Sequence, residues 1–370
     1  MDKPIAVLGG GHGGHCMAAE LALQGHAVRL FELPEFAGRM QAVFDSRKIK
    51  LSGIGIQGWA GLEQVTTQAA EALQGVEFVH FVVPAFAQEA FFDAALPHLR
   101  DGQTAVVWAG DFGSLRLSHR VRTMRPRLRL NIVETHTLPY GTRLVEPGHV
   151  ALLLTAPVVL ASALPAARNP EVIPALSAYF PCVKPGGNAI AAALSNPNPM
   201  VHPPGSLLNV GRIQYTNGEF WMYREGITEA VARVIRAIYE ELAQVAKAYQ
   251  SELLPFQDGD FRTTASIMGA SFVAPFDTIG AIAAVKGPTS IHHRYITEDL
   301  PYGLVPASQL ARKAGLSTPL VDSIVHLGSS VCGVDFWKSG RTLETLGLAG
   351  LSVEEITCLV LGCDASPCCP

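Results

Sequence analysis

Charge is scarce in this sequence: Lys, Arg, Asp and Glu together make up 16% of 370 residues, and the formal net charge is −4. The longest basic run is the short cluster Arg125, Arg127, Arg129, which is too little for the electrostatic footprint that nucleic-acid binding requires. An uninterrupted apolar span is missing too. The longest apolar stretch, residues 150–167, contains Thr155, Pro157, Ser162 and Pro165, whereas a membrane crossing needs about 20 continuous apolar residues. Lys3 is the one early positive charge and no small-residue cleavage site follows, so no export signal is expected. The seven cysteines (Cys16, Cys182, Cys332, Cys358, Cys363, Cys368 and Cys369) lack the paired spacing of a zinc ribbon or a disulfide framework. No metal is expected, and a reducing cytoplasm is. The tail 363–370 reads as a frayed terminus rather than a metal site.

What the sequence does have is apolar residues, 48% of the total, which places it among packed globular chains. Its length suits two domains. Ile5–Leu8 is an apolar run followed by Gly9–Gly14 and a helical pattern to Leu23, and Ala27–Glu32 alternates as a second strand. That is one βαβ unit. Further strands are expected at 78–83, 104–108 and 130–133, with helices near 64–73, 85–96 and 113–124 between them, so a doubly wound, mainly parallel sheet follows. Two or three apolar strands are expected within 142–163, and Lys184–Asn188 marks a boundary. Beyond it the pattern is helical: 228–250 carries apolar residues at helical spacing over about six turns, and further helices are expected at 308–314, 319–330, 342–346 and 353–361. Ser352 and Glu355 form a capping-box pattern before the last. The expected fold is therefore α/β: an N-terminal Rossmann sheet over residues 1–186, then an all-α domain over 187–370.

Gly9, Gly11 and Gly14 match G-x-G-x-x-G, with His12 and Gly13 inside the loop. The three glycines serve different ends. Gly9 makes the turn out of the strand, Gly11 lets the backbone approach a pyrophosphate, and Gly14 lets the helix pack on the sheet. Glu32 ends the next strand about 20 residues on, where a carboxylate accepts from an adenosine ribose and repels a 2′-phosphate. NAD(H) is thus favoured over NADP(H), with Arg39 as the residue that could instead reach a phosphate. Val83 and Pro84 lie at the same carboxyl edge of the sheet, where such sheets bind ligands. Glu134, with the segment running to Tyr140, follows another strand there and is expected to line the nicotinamide end. His136, in that segment, reads more readily as structural or cofactor-lining than as catalytic.

The second half opens on Ser195–Gly205, a stretch with four prolines that reads as a stiff loop holding His202 as a candidate general acid/base. His202 could equally bridge backbone groups. The segment 291–302 gathers the most ionisable residues of this half. In it, Asp299 could fix an imidazole's tautomer and favour its protonated form, and Arg294 could match a substrate carboxylate. A solvated loop would look the same.

These residues resemble the octopine/nopaline (opine) dehydrogenase family. The resemblance rests on Gly9–Gly14, on 134–140, on Asn196-Pro-Asn-Pro-Met-Val-His202-Pro with Asn209 and Arg212, and on His293-Arg294-Tyr295 leading to Glu298-Asp299, and it spans nearly the whole chain. His12 stands where this family often has a small polar residue. The resemblance implies NAD(P)H-dependent reductive condensation of an amino acid with a 2-oxo acid such as pyruvate, through an imine. It carries His202 over as proton carrier, Asp299 as its partner and Arg294 as an electrostatic or carboxylate contact, with Tyr140, Asn209 and His293 as substrate-binding candidates. A homodimer is one admissible assembly. Two other readings stay open. A ketopantoate-type 2-oxo acid reductase would need an active-site lysine, for which Lys286 and Lys247 are available. A non-enzymatic NAD(H) redox sensor would need no proton carrier.

Overall fold

A computed structural model of the chain describes residues 3–255 and 285–363. The cysteine-bearing tail beyond Cys363 lies outside the described residues. An eight-stranded sheet runs in the order β12-β11-β8-β7-β6-β1-β2-β5. Its strands are β1 Ile5–Leu8, β2 Val28–Phe31, β5 Gln64–Thr66, β6 Phe78–Phe81, β7 Thr104–Val107, β8 Asn131–Thr135, β11 Val159–Leu164 and β12 Val183–Pro185. All pair in parallel except β11 with β8, which is antiparallel with Ala161 opposite Thr135. The central strands β1, β6 and β7 are buried throughout, as strands covered by helices on both faces must be. β1 lies between β2 and β6, so the chain reverses its winding there and opens a crevice at the carboxyl ends of these strands.

A second sheet, in the order β4-β3-β10-β9, is built from β3 Lys48–Gly53, β4 Gly58–Gly61, β9 Tyr140–Glu146 and β10 His149–Thr155. It packs on the helix His12–Leu23. β3 and β4 were not expected, although Lys48 to Leu51 alternates exposed and buried, the period of a strand with one wet face. The helix expected over 64–73 is a correction. Residues 64–66 instead pair with β2, with Leu30 opposite Val65, and only Ala69–Leu73 is helical. Pairing at an open sheet edge outweighs weak helix propensity in this segment. Likewise 342–346 forms turns rather than a helix.

From Ala189 onward the described elements are helices, apart from a single bridge between Trp221 and Lys286. The long helix Glu229–Ala248 is capped by Thr228, whose side chain accepts from Val231 N–H. Ser352 and Glu355 close a complete capping box on Val353–Leu361. A second correction concerns 195–205: it is the helix Pro197–Leu207, not a loop. Pro197 sits in the first turn, where an N–H would have no partner anyway. Asn196 caps that turn by accepting from Asn198 N–H at 3.0 Å. Only Pro203 and Pro204 lie in the helix interior, and burial of this whole segment keeps it helical against their cost. Among the described residues, no helix is long and apolar enough to cross a membrane, and no disulfide links the cysteines.

Candidate functional site

The glycine loop joins β1 to the helix His12–Leu23, and it requires glycine at two positions for different reasons. Gly9 has φ +106°, and a Cβ there would lie 2.3 Å from Val83 Cγ1. A Cβ on Gly14 would lie 1.7 Å from the Gly9 carbonyl oxygen. Gly11 differs: a Cβ there would meet nothing within 4 Å, and as N-cap it offers the helix no side-chain cap. An open approach to an uncapped helix N-terminus fits a pyrophosphate. Glu32 is buried, accepting from Gly10 N–H at 2.7 Å and Leu33 N–H at 2.8 Å. Burial pushes its carboxyl up, against the two backbone donors that draw it down. It braces the loop and still has lone pairs to offer a ribose. Val83, with Val82, packs against this loop, and Pro84 begins the neighbouring turn Ala85–Ala87. Arg39 stacks over Phe36 at 5.3 Å.

In the helical half, two residues 97 positions apart meet. His202 Nδ1 lies 2.7 Å from Asp299 Oδ2, and its Nε2 lies 2.9 Å from the Tyr223 hydroxyl. The Tyr295 ring stacks on the imidazole, centroids 3.8 Å apart. His202 comes from the helix 197–207, while Tyr223 and Asp299 both stand on π-helical turns, Met222–Gly226 and Asp299–Leu304. Such turns re-aim side chains that a regular helix would direct elsewhere. His202 is 6% and Asp299 1% exposed, so neither charge is cheap. Burial and the nearby Arg294 push the imidazole down to about 3, and burial with Glu298 pushes the Asp299 carboxyl well up. Taken as one unit, the pair takes a second proton only in acid, and its raised carboxyl holds the first proton more tightly than a free carboxylate would, in the Nδ1···Oδ2 contact. The expectation that Asp299 favours the imidazolium meets an opposing effect here, because burial and Arg294 push the imidazole the other way.

Glu298 links the two halves. Its Oε1 accepts from Ala85 N–H at 2.8 Å, beside the Val83–Pro84 turn. Its Oε2 sits 2.8 Å from Arg294 Nε without an aligned hydrogen bond, so that attraction is coulombic. Arg294 is half-exposed, which leaves its guanidinium free to meet an anion. Burial works to lower the Arg294 pKa, but Glu298 and Asp299 outweigh it. His12, at the first helical position, has its pKa lowered by burial and by Arg143, with Arg294 also in reach.

Several expected site residues are occupied elsewhere. Tyr140 is buried in the core of the first half and donates to Glu20 at 2.5 Å, because β9 turns that side toward the helix 12–23. Asn209 spends both amide hydrogens on Gly205 and Gly226 carbonyls. Glu134 accepts from Phe112 N–H and Ser114 N–H, pinning the start of the helix Gly113–Met124, and burial pushes it up to about 7. His136 accepts from Leu160 N–H and is structural. His293 caps the turn 294–297 by accepting from Tyr295 N–H, yet it stays close enough to His202 for their charges to interact. Lys286 pairs with Glu219 and lies over Trp221, and Lys247 is exposed on the long helix. Neither supplies an active-site lysine. Arg212 pairs with Glu225. Tyr223 carried no local motif, and Tyr295 and Glu298 lay inside a quoted segment without a role; all three were missed.

The model of the NAD/NADP octopine/nopaline dehydrogenase alpha-helical domain matches residues 185–332. An opine dehydrogenase of Arthrobacter sp. (strain 1C) is 30% identical over 359 residues, covering 96% of this chain and 98% of that protein. The structure of octopine dehydrogenase with NADH and pyruvate superposes with a TM-score of 0.73 at 21% identity, covering 98% of this chain and 99% of that one. A yersinopine dehydrogenase with NADP+ bound gives a TM-score of 0.71 at 15% identity, covering 98% of both chains.

Proposed function

Because the chain belongs to the octopine/nopaline dehydrogenase family and is an NAD(P)H-dependent oxidoreductase acting on CH–NH bonds, we propose that His202 and Asp299 are its proton-transfer unit and Arg294 its anchor for a substrate carboxylate. The reaction is the reductive condensation of an amino acid with a 2-oxo acid. The observation that carries the assignment is the buried His202–Asp299 contact at 2.7 Å.

Condensation needs protons moved twice. The amine adds to the 2-oxo carbon, and the carbinolamine loses water when its hydroxyl is protonated. His202 Nε2 is the imidazole nitrogen left for that transfer, because Asp299 holds Nδ1. The Tyr223 hydroxyl beside Nε2 rotates aside or relays the proton. Tyr295, stacked on the ring, keeps the imidazole plane fixed. A bound nicotinamide would supply the hydride for the imine carbon. The nitrogen, which keeps its own hydrogen when the protonated hydroxyl leaves as water, is cationic at that point and makes that carbon electrophilic, and the pair, its proton given to that water, is restored from solvent. Arg294 holds a carboxylate through a planar fork. Residues 1–186 serve as the cofactor half and 187–370 as the catalytic half, in the cytoplasm.

Purified protein given NADH and pairs of amino and 2-oxo acids is expected to oxidise NADH only when both acids are present. Oxidation with the oxo acid alone would favour a simple oxo acid reductase instead. For the cofactor we favour NADH, from the place of Glu32 at the end of β2. Glu32→Gln should narrow the advantage of NADH over NADPH by about 1–2 kcal/mol, the scale of one charged hydrogen bond. A wild-type preference for NADPH of tenfold or more would overturn that assignment.

A further inference from the structure

Between β7 and the helix Gly113–Met124 the backbone takes left-handed conformations at three non-glycine residues: Ala109 and Asp111 at φ +47° and Phe112 at φ +68°. Contacts from both halves hold the segment there. Glu134 accepts from Phe112 N–H, Gln88 Nε2 donates to the Gly110 carbonyl, and the buried Arg341 donates to the Gly110 and Asp111 carbonyls. A residue held so firmly against its preference presents its side chain in one direction.

That side chain ends in a carboxyl group, and the residue is 3% exposed. Asp111 Oδ1 accepts from Asn196 Nδ2 at 2.7 Å, and Asn196 is the N-cap of the helix that carries His202. Burial, Asp299 and Glu298 push the Asp111 carboxyl well up, against Asn196 and Arg341, so an arriving cation is the partner that would hold it ionised. Its neighbours are already engaged: Asp299 with His202, Glu298 with Ala85 and Arg294, and Arg341 with backbone carbonyls and Gln88. Asp111 Oδ2 has no hydrogen-bond partner among the described residues, and it is not one of the atoms sealed from solvent. It is an acceptor at the carboxyl edge of the sheet, beside the proton-transfer pair.

We propose that Asp111 receives the amino group of the amino-acid substrate, binding it as an ammonium and selecting amines over otherwise identical acids. This inference rests on the reaction proposed above. An amino acid arrives at neutral pH with its nitrogen protonated, and the nitrogen must come to rest beside His202. A carboxylate with one neutral donor and one free oxygen supplies the missing partner for that cation. The substrate ammonium supplies the missing partner for the carboxylate.

The test is a calorimetric titration of the protein–NADH complex with each standard amino acid and with its 2-hydroxy counterpart, in which a hydroxyl replaces the amine. Wild type should bind the best amino acid at least about tenfold more tightly than its hydroxy counterpart, and Asp111→Asn should weaken the amino acid by about 10- to 100-fold, the range for a hydrogen bond between charged groups. The hydroxy acid, NADH affinity and KM for pyruvate should change less than about twofold. If Asp111→Asn fails to fold, the wild-type comparison decides alone, and equal affinity for amine and hydroxyl overturns the proposal. So does an Asp111→Asn protein that weakens both compounds alike. An amine preference that is lost in Asp111→Asn, in a protein that oxidises no NADH with any pair, upholds the role of Asp111 and defeats the proposed reaction.

Discussion

If His202 and Asp299 share one exchangeable proton, removing either should disable the same step. His202→Ala deletes the carrier, for which a loss of about 10²- to 10⁴-fold in kcat is the usual scale of general acid–base catalysis. Asp299→Asn keeps the shape of the side chain and removes the charge that stabilises the shared proton. The affected contact is a short one between groups 6% and 1% exposed, so the loss should reach that of a buried charge-assisted hydrogen bond, about 1.5–3 kcal/mol or roughly 10- to 150-fold. The pH profile separates this from a packing defect. In wild type, turnover should fall on the alkaline side, where the pair surrenders its proton, because burial and Glu298 raise Asp299. In Asp299→Asn the imidazole stands alone, and burial with Arg294 keeps it neutral down to strongly acid pH. Its turnover should therefore lack the neutral plateau and rise only toward acid. The assay is NADH consumption at saturating substrates, with cofactor binding followed separately by fluorescence and expected to be nearly unchanged. The double variant should match His202→Ala. Multiplying losses, or a His202→Ala protein that keeps most of its turnover, would refute the pair.

The glycine loop gives a matched set: Gly14→Ala, whose Cβ would meet the Gly9 carbonyl at 1.7 Å, should lower the melting temperature, whereas Gly11→Ala, with nothing within 4 Å, should leave melting unchanged and weaken NADH by about tenfold. Equal melting losses in both would refute an open cradle. His80 is fully buried, accepts from Trp108 Nε1–H, and is pushed by burial from 6.5 down to about 3. The unfolded chain therefore binds a proton there that the folded chain does not, so stability is complete above about pH 6.5 and is lost as pH falls toward 3, with a ceiling of about 4–5 kcal/mol. His80→Gln, which keeps an acceptor for Trp108, should melt lower than wild type at pH 7 and close that gap by pH 4; a constant gap would contradict the assignment.

What the sequence made legible was what it writes locally. The glycine loop, the helix 113–124 and the capping box at Ser352 each fit within a dozen residues, and their spacing alone implies their geometry. β5 was misread because its three residues matter only as the partner of β2, and the helix 197–207 because four prolines near His202 count as breakers until one asks which of them stand in a first turn. Glu134 and Tyr140 were expected in the site because they follow a strand at the correct edge. Position along a strand names an edge and not the partner a side chain finds there, and both found one inside the fold.

The same distinction explains which catalytic groups were visible. His202, Arg294 and Asp299 could be read from motifs, but the meaning of each depends on groups that no motif joins to it: Tyr223 on a π-helical turn, Tyr295 stacked on the imidazole, and Glu298 reaching across to Ala85. The expectation that Asp299 would favour the protonated form of His202 weighed the carboxylate and not the burial of both groups. Burial changes that relation, because a second proton would leave a net positive charge beside Arg294 in a space closed to water. A sequence records which ionisable groups a site contains. How many protons they share is decided by the solvent excluded when the helical half packs onto the sheet edge, so the chemistry at His202 depends on that interface as much as on the residues in contact with it.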